Sequence, residues 1–351
     1  MILTMTVTST NSCNPQNAIS TYTVTVDPLP TASAGGTQTI CENSAATISG
    51  ATQSNGAPLW VVTNGAGSIT SGVNGLTPVY TAAAGDAGNT VILTMTVTST
   101  NSCNPQNATA TYTIKVDPLP TATSGGTHTI CQNAAYTLVN GEASQTNGSP
   151  SWTENGAGSI TSGANSLTPT YTAAAADAGN AVTLTMTVTS TNTCNPQSTP
   201  ATYIINVDPV PTASSPGSQT ICENLGATVS GASATNGTIS WSENGQGSIT
   251  SGANTLTPTY TSTSADQGNA VTLTMTVTSN NTCAPQTATS NYTINVRPTL
   301  TAVPSVSKTM ICENDPAQVI FTANGGIARS RAASGSRVCC TIRRGRGRDA
   351  R

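Results

Sequence analysis

Charge is scarce in this sequence: 7% of its 351 residues are charged, 3% are aromatic, and there is a single histidine. Each shortage excludes something. Leu, Glu, Lys and Arg together are too few to build helical faces. With His128 alone, a Ser-His-Asp or Cys-His arrangement would have to recruit that one residue. The matching positions hold Gln38 and Gln219, which marks His128 as a surface variant. Acids number about four per hundred residues and fall at turns and linkers, so no carboxylate pair is placed for general acid–base work. No glycine-rich phosphate loop stands between a strand and a helix. No CxxC or Cys/His pair offers a zinc site. An enzyme is therefore not expected, nor any cofactor.

What is present is a repeat. MILTMTVTST at Met1 returns as VILTMTVTST at Val91, VTLTMTVTST at Val182 and VTLTMTVTSN at Val271, steps of 90, 91 and 89 residues. Trp60, Trp152 and Trp241 keep the same step, as do Tyr80, Tyr171 and Tyr260, and Tyr22, Tyr112, Tyr203 and Tyr292. DPLP at Asp27 recurs at Asp117, becomes DPVP at Asp208 and decays to RPTL at Arg297. A unit of about 90 residues is the size of one small sandwich domain rather than a solenoid turn.

Disorder would bring high net charge and no periodicity. Here Leu93, Met95 and Val97 alternate with Thr94, Thr96 and Thr98, one face in and one face out. The unit from Pro118 to Asp208 reads as seven strands near 127–131, 136–140, a third holding Trp152, 159–161, 168–172, 182–189 and 201–207. The turn dipeptides Asn147-Gly148 and Asn155-Gly156 flank the third. The expectation is all-β, tandem Ig-like sandwiches as beads on a line. Complete repeats are expected at 29–118, 119–209 and 210–298, with truncated ones at 1–28 and 299–328. Pro118 and Pro120 make the linker short and semi-extended.

The run TICEN, a Trp strand, TYTAAAADAGN, a long Thr-alternating strand, NTCNPQ and a closing YIINVDPVP resembles PKD-like Ig-fold repeats over residues 1–326. Such repeats occur in very large surface and secreted proteins of Bacteroidota. The resemblance implies an extracellular stalk or adhesin without catalytic residues, whose signal peptide and sorting domain are expected outside this stretch. The expected partners are neighbouring repeats of the same chain and, for an adhesive module, surface glycans or proteins. Neither nucleic acid nor direct membrane insertion is expected.

The segment 329–351 carries eight of the eleven basic residues, whereas the rest of the chain holds three basic and thirteen acidic ones. Arginines without interleaved aromatics, appended inside a repeat, are weak evidence for nucleic-acid or membrane binding. This tail is expected to be a spurious end or disordered. Asp86, Asp177 and Asp266 recur in the loop before the long strand and are weak calcium candidates. One carboxylate per loop falls short of what calcium requires, and a turn residue bonding its own backbone is the favoured reading. Asp117, Glu142 and Asp86 would form a site only if the junction gathered them. The three tryptophans suit an inter-sheet core better than carbohydrate stacking.

Eight cysteines fall in two registers, Cys41, Cys131, Cys222 and Cys312 in TIC or MIC, and Cys13, Cys103, Cys194 and Cys283 before the last strand. Even spacing points to disulfides in an oxidising compartment. Cys41, Cys103, Cys131, Cys194, Cys222 and Cys283 are the structural candidates. With alternating strand directions, Cys131 lies at one end of its domain and Cys194 at the other, about 25 Å apart. A disulfide needs Cα atoms within about 7 Å. Interdomain pairs, Cys41 with Cys194 and Cys131 with Cys283, are therefore favoured, with the intradomain pair Cys131–Cys194 as the alternative.

Overall fold

The computed structural model describes residues 1–12, 16–299, 301–306 and 319–324, the last two for backbone only. The tail 329–351, Cys13 and Cys312 lie outside the described residues. Two compact units share the chain. One takes Met1–Thr127, Ala135–Thr172 and Val182–Ile205; the other takes His128–Ala134, Ala173–Ala181 and residues from 206 on.

The first unit opens on the hairpin β1 (Ile2–Thr8) and β2 (Asn17–Thr23). The first complete repeat follows: β3 (Thr31–Ser33), β4 (Thr37–Cys41), β5 (Ala45–Thr47), β6 (Thr52–Ser54), β7 (Gly56–Asn64), β8 (Ser68–Ser71), β9 (Val79–Thr81), β10 (Thr90–Ser99) and β11 (Asn107–Asp117). One sheet runs β4-β11-β10-β7, with β4 parallel to β11 and the other pairs antiparallel. The facing sheet runs β5-β9-β8, and β3 pairs with β6. A four-stranded and a three-stranded sheet closed on one core is the Ig-like plan.

Thr-alternating β10 explains the layering. Leu93, Met95 and Val97 are fully buried, while the threonines between them are half-buried on the other face. β-branched Thr suits a pleated outer surface. Trp60, opposite Met95 in the β7–β10 register, is buried among Ile48, Tyr80 and Ile114. The third repeat, wholly in the second unit, repeats the plan. Ser218–Cys222 lies parallel to Thr287–Arg297, and Val271, Leu273, Met275, Val277 and Trp241 fill the core. In the middle repeat, Gly148–Glu154 pairs antiparallel with Ala181–Ser190.

The structure differs from the seven-strand reading in three ways. It adds the short pairs β3–β6, Thr121–Ser124 with Ala143–Thr146, and Thr212–Ser214 with Ser233–Thr235. It shortens the second strand of the middle repeat to Ala135–Thr137. It also places 3-10 turns at Ala84–Asp86, Ala175–Asp177 and Ser264–Asp266. Strands of three or four residues leave no readable period, so these pairs escape pattern analysis. Of the two Asn-Gly signals, Asn147 adopts positive φ, as do its counterparts Asn55 and Asn236, and each side-chain amide donates to a linker carbonyl; Asn155 is not in that conformation and instead exchanges hydrogen bonds with Thr183.

Candidate functional site: the bridged junctions

The chemistry of this chain gathers where one repeat hands over to the next. At residues 117–119, the Asp117 carboxylate accepts hydrogen bonds from Thr193 N at 3.2 Å and Thr193 Oγ1 at 2.9 Å. Asn192 Nδ2 donates to Pro118 O at 2.9 Å. Proline has no N–H, and here its free carbonyl becomes the acceptor that holds the loop. From the other side Glu42 N donates to Asp117 O, while the Glu42 carboxylate accepts from Leu119 N at 3.1 Å. Cys41, ending β4, is bonded to Cys194 with Cα atoms 4.8 Å apart. Two strand ends, a linker and a loop are thus tied together by one disulfide and a set of hydrogen bonds.

The second unit repeats the device. Asp208 accepts from Thr282 N at 3.0 Å and Oγ1 at 2.7 Å, and Asn281 Nδ2 donates to Pro209 O at 3.0 Å. Cys131 is bonded to Cys283, again with Cα atoms 4.8 Å apart. Both bridges therefore join successive repeats, and Cys131–Cys194 is not formed. At residues 27–29 the polar lock exists without a bridge: Asp27 accepts from Ser102 N and Oγ, and Asn101 Nδ2 donates to Pro28 O. Cys103 and Cys222, the other two candidates, are free thiols.

Two linker aspartates, Asp27 and Asp117, are pulled toward the ionised form. The Ser102 hydroxyl and amide hold Asp27 below its ordinary value. Burial opposes ionisation of Asp117, but Lys115 at 3.0 Å and Thr193 outweigh it. Pattern reading treated these acids as scattered. Their signal was the pairing of the D-P at Asp27, Asp117 and Asp208 with an N-[ST]-C loop about 75 residues downstream.

Asp86, Glu142 and Asp117 are not gathered. Among the described residues no three His, Cys, Asp or Glu side chains form a metal-holding group. Asp86 is buried, and its oxygens accept from Ala66 N at 2.6 Å, Gly67 N at 3.0 Å, Ala83 N at 2.9 Å and Tyr80 Oη at 2.7 Å. Asp266 makes the same set with Gln246 N, Thr263 N and Tyr260 Oη. Asp177 accepts from Ala174 N at 2.8 Å. The carboxylates of Asp86 and Asp266 are thus held by backbone amides and a tyrosine hydroxyl of their own repeat. They do bond their own turn, as expected, but they also reach a second loop some twenty residues away. Glu142 instead accepts from Tyr136, Tyr203 and Val139 N.

Burial pushes the Asp86 and Asp266 carboxyls up, yet their donors together bring both below the ordinary 3.8. Burial and then the carboxylate raise the partner phenols, Tyr260 to about 12. Depressed carboxyls stabilise the fold above 3.8, and this is lost as pH falls through the folded values. Raised phenols stabilise below 10.0, and this is lost as pH rises toward about 12. The urea midpoint is expected to be flat between about pH 5 and pH 9 and to fall on both sides. A midpoint unchanged in acid would show that these carboxylates contribute nothing.

The tryptophans are core residues. Their indole N–H groups donate to Gly75 O, Ser166 O and Thr255 O at 2.8–2.9 Å, and none presents a ring to solvent. His128 is exposed on the strand Thr127–Cys131.

No family model matches the chain. No curated protein matches it either. Among solved structures it is similar to the I-band fragment I67-I69 from titin, at 10% identity over 78% of this chain and 100% of that one, TM-score 0.42. It is similar to Drosophila N-cadherin EC1-4 at 11% identity over 84% of each chain, TM-score 0.35. Sidekick-1 immunoglobulin domains 1-5 match at 12% identity over 78% of this chain and 61% of that one, TM-score 0.28. The Ig-like assignment rests on the strand order and sheet pairing described above.

Proposed function

We propose that this chain is a non-enzymatic, extracellular stalk segment built from PKD-like repeats with boundaries near 29–118, 119–209 and 210–298. The observation that carries the reading is the connectivity of the bridges. A disulfide closed within a repeat would stabilise that repeat alone. Bridges from Cys41 to Cys194 and from Cys131 to Cys283 restrain the junctions instead. Proline linkers and the Asp–Asn lock restrain the same places. Disulfides persist in oxidising compartments, which supports a secreted or surface location.

Junction stiffness is the property to measure. Non-cysteine labels at the exposed Ser71 and Ser162 report the first bridged junction. The oxidised chain is expected to give one narrow distance distribution that broadens on reduction, and more so with Asp117→Ala. A broad distribution in the oxidised chain would remove the stalk reading. Retention of a surface glycan or protein by the chain would favour the adhesive alternative, in which weak contacts multiply along the array.

A further inference from the structure

The middle repeat carries a group of side chains that the first and third lack. Tyr136 stands where those repeats hold Ala46 and Ala227. The loop after it runs over five residues, 138–142, where its counterparts 48–51 and 229–232 have four. The extra length brings in Glu142. Its Oε1 accepts from Tyr136 Oη at 2.9 Å and from Tyr203 Oη at 2.6 Å, and its Oε2 lies 3.1 Å from Tyr136 Oη. Val139 N donates to Oε2 at 2.7 Å and Glu142 N to Val139 O at 3.2 Å, so the loop closes on itself and aims the carboxylate. Gly141, at φ +100°, permits that turn.

The two rings come from different sheets. Tyr136 lies on Ala135–Thr137, which pairs with Thr170–Thr172. Tyr203 lies on Ser198–Asp208, beside Ala181–Ser190 in the facing sheet. The rings stack with centroids 6.3 Å apart and planes 17° from parallel. Tyr203 is 2% exposed, whereas Tyr136 and Glu142 are half-buried and reach solvent. Both disulfides among the described residues join successive repeats, so neither ties these two sheets together. Burial above all, with Glu142 adding to it, raises both phenols above their ordinary 10.0, so each keeps its proton at neutral pH.

We propose that Tyr136 and Tyr203 are an oxidative cross-linking site. A one-electron oxidant of the peroxidase or peroxyl-radical class joins the two rings through a carbon–carbon bond, and Glu142 accepts the phenolic protons. Each phenol loses one electron to the oxidant and its O–H proton to Glu142, which passes it to solvent. The two phenoxyl radicals combine between carbons ortho to the oxygens. The ring hydrogens at those carbons then move to the oxygens and restore both hydroxyls. Two electrons and two protons leave in all, and the oxidant takes the electrons. The shared carboxylate holds both hydroxyl ends at one place, which makes the coupling intramolecular. Because the proton leaves with the electron, no phenol cation has to form in the half-buried site. The product pins the two sheets of one repeat, as the inter-sheet disulfide does in antibody domains. The inference rests on the geometry of a single repeat, so a chain that failed as a stalk can still form the bond.

The test uses the full chain in dilute solution, with Cys103 and Cys222 alkylated and a photogenerated ruthenium(III) complex as oxidant. Added tyrosine amide, which couples to itself, shows that oxidant is delivered. Peptide mapping is expected to find Tyr136 joined to Tyr203, two hydrogens lighter, at about tenfold the yield of any other tyrosine pair. Glu142→Gln keeps the size of the side chain and loses the base, and should slow the coupling about tenfold. Tyr136→Ala copies the residue of the first and third repeats and should leave Tyr203 with no preferred partner. Once the bond has formed, amide exchange in Ala181–Ser190 should slow about a hundredfold. The proposal is overturned if the Tyr136–Tyr203 product is absent while tyrosine amide couples. It is overturned equally by an unchanged rate in Glu142→Gln, by Tyr203 coupling as well elsewhere in Tyr136→Ala, or by unslowed exchange.

Discussion

Pulled from its two ends until unfolded, the oxidised chain should reach only about half the length it reaches after reduction, because the two bridges overlap in sequence. Cys131 lies inside the loop closed by Cys41 and Cys194, and Cys194 lies inside the loop closed by Cys131 and Cys283. The shortest covalent route therefore runs to Cys41, crosses to Cys194, returns to Cys131, crosses to Cys283 and continues to the end. Roughly 170 residues carry the force, about 600 Å at ~3.4 Å each, against about 1,200 Å for the reduced chain. Cys41→Ser or Cys283→Ser alone leaves roughly 200 residues in the path, so losing one bridge lengthens it little. Intradomain Cys131–Cys194 would instead leave about 290 residues under force. Single-molecule extension with and without reductant separates these outcomes, and a gain on reduction near 200 Å would refute the inter-repeat connectivity.

The same overlap bears on resistance to proteolysis. One cut anywhere between Cys41 and Cys283 leaves both fragments joined by at least one bridge. A segment whose task is to span distance gains from this, since a single cut then costs it neither end. A binding module that acts through one loop would gain nothing from it.

Much of this was legible in the residues, for identifiable reasons. Leu93, Met95 and Val97 alternate over a ten-residue strand, long enough for a period of two to be unmistakable. The cysteine argument needed only strand directions and length, because a separation of about 25 Å excludes a bond that must close within about 7 Å. The Asp86 network was harder to see. Its amide donors come from Ala66 and Gly67, and no local pattern shows which turns meet in space. One signal was present: Tyr80, Tyr171 and Tyr260 each precede the loop acid by six residues. Constant spacing between a buried-type aromatic and an acid suggests a hydroxyl–carboxylate pair. The structure shows that pair for Tyr80 with Asp86 and for Tyr260 with Asp266.

That network also sets the largest single-residue effect expected in the chain. Asp266→Ala removes an acceptor that satisfies Gln246 N, Thr263 N and Tyr260 Oη, all within 2.9 Å. Asp266 and Tyr260 are both buried, so water cannot simply take the acceptor's place. Leaving several donors unpaired costs about 1–3 kcal/mol each where no relaxation occurs. Partial rearrangement of the 3-10 turn recovers some of this, so about 3–4 kcal/mol is expected overall. Small domains have only about 5–15 kcal/mol of stability, so the loss is a large fraction of the whole. Amide exchange in the strand Ala270–Ser279 should accelerate by about 10²–10³-fold, because each 1.4 kcal/mol is tenfold. Tyr260→Phe removes one partner and keeps the ring in the core, so its cost should stay near 1–2 kcal/mol. The first repeat has a separate core, and exchange in Thr90–Ser99 should be unchanged by either substitution. Equal acceleration in both strands would mean that the repeats unfold as one cooperative body. An Asp266→Ala effect below that of Tyr260→Phe would mean that the backbone donors find other partners when the carboxylate is gone.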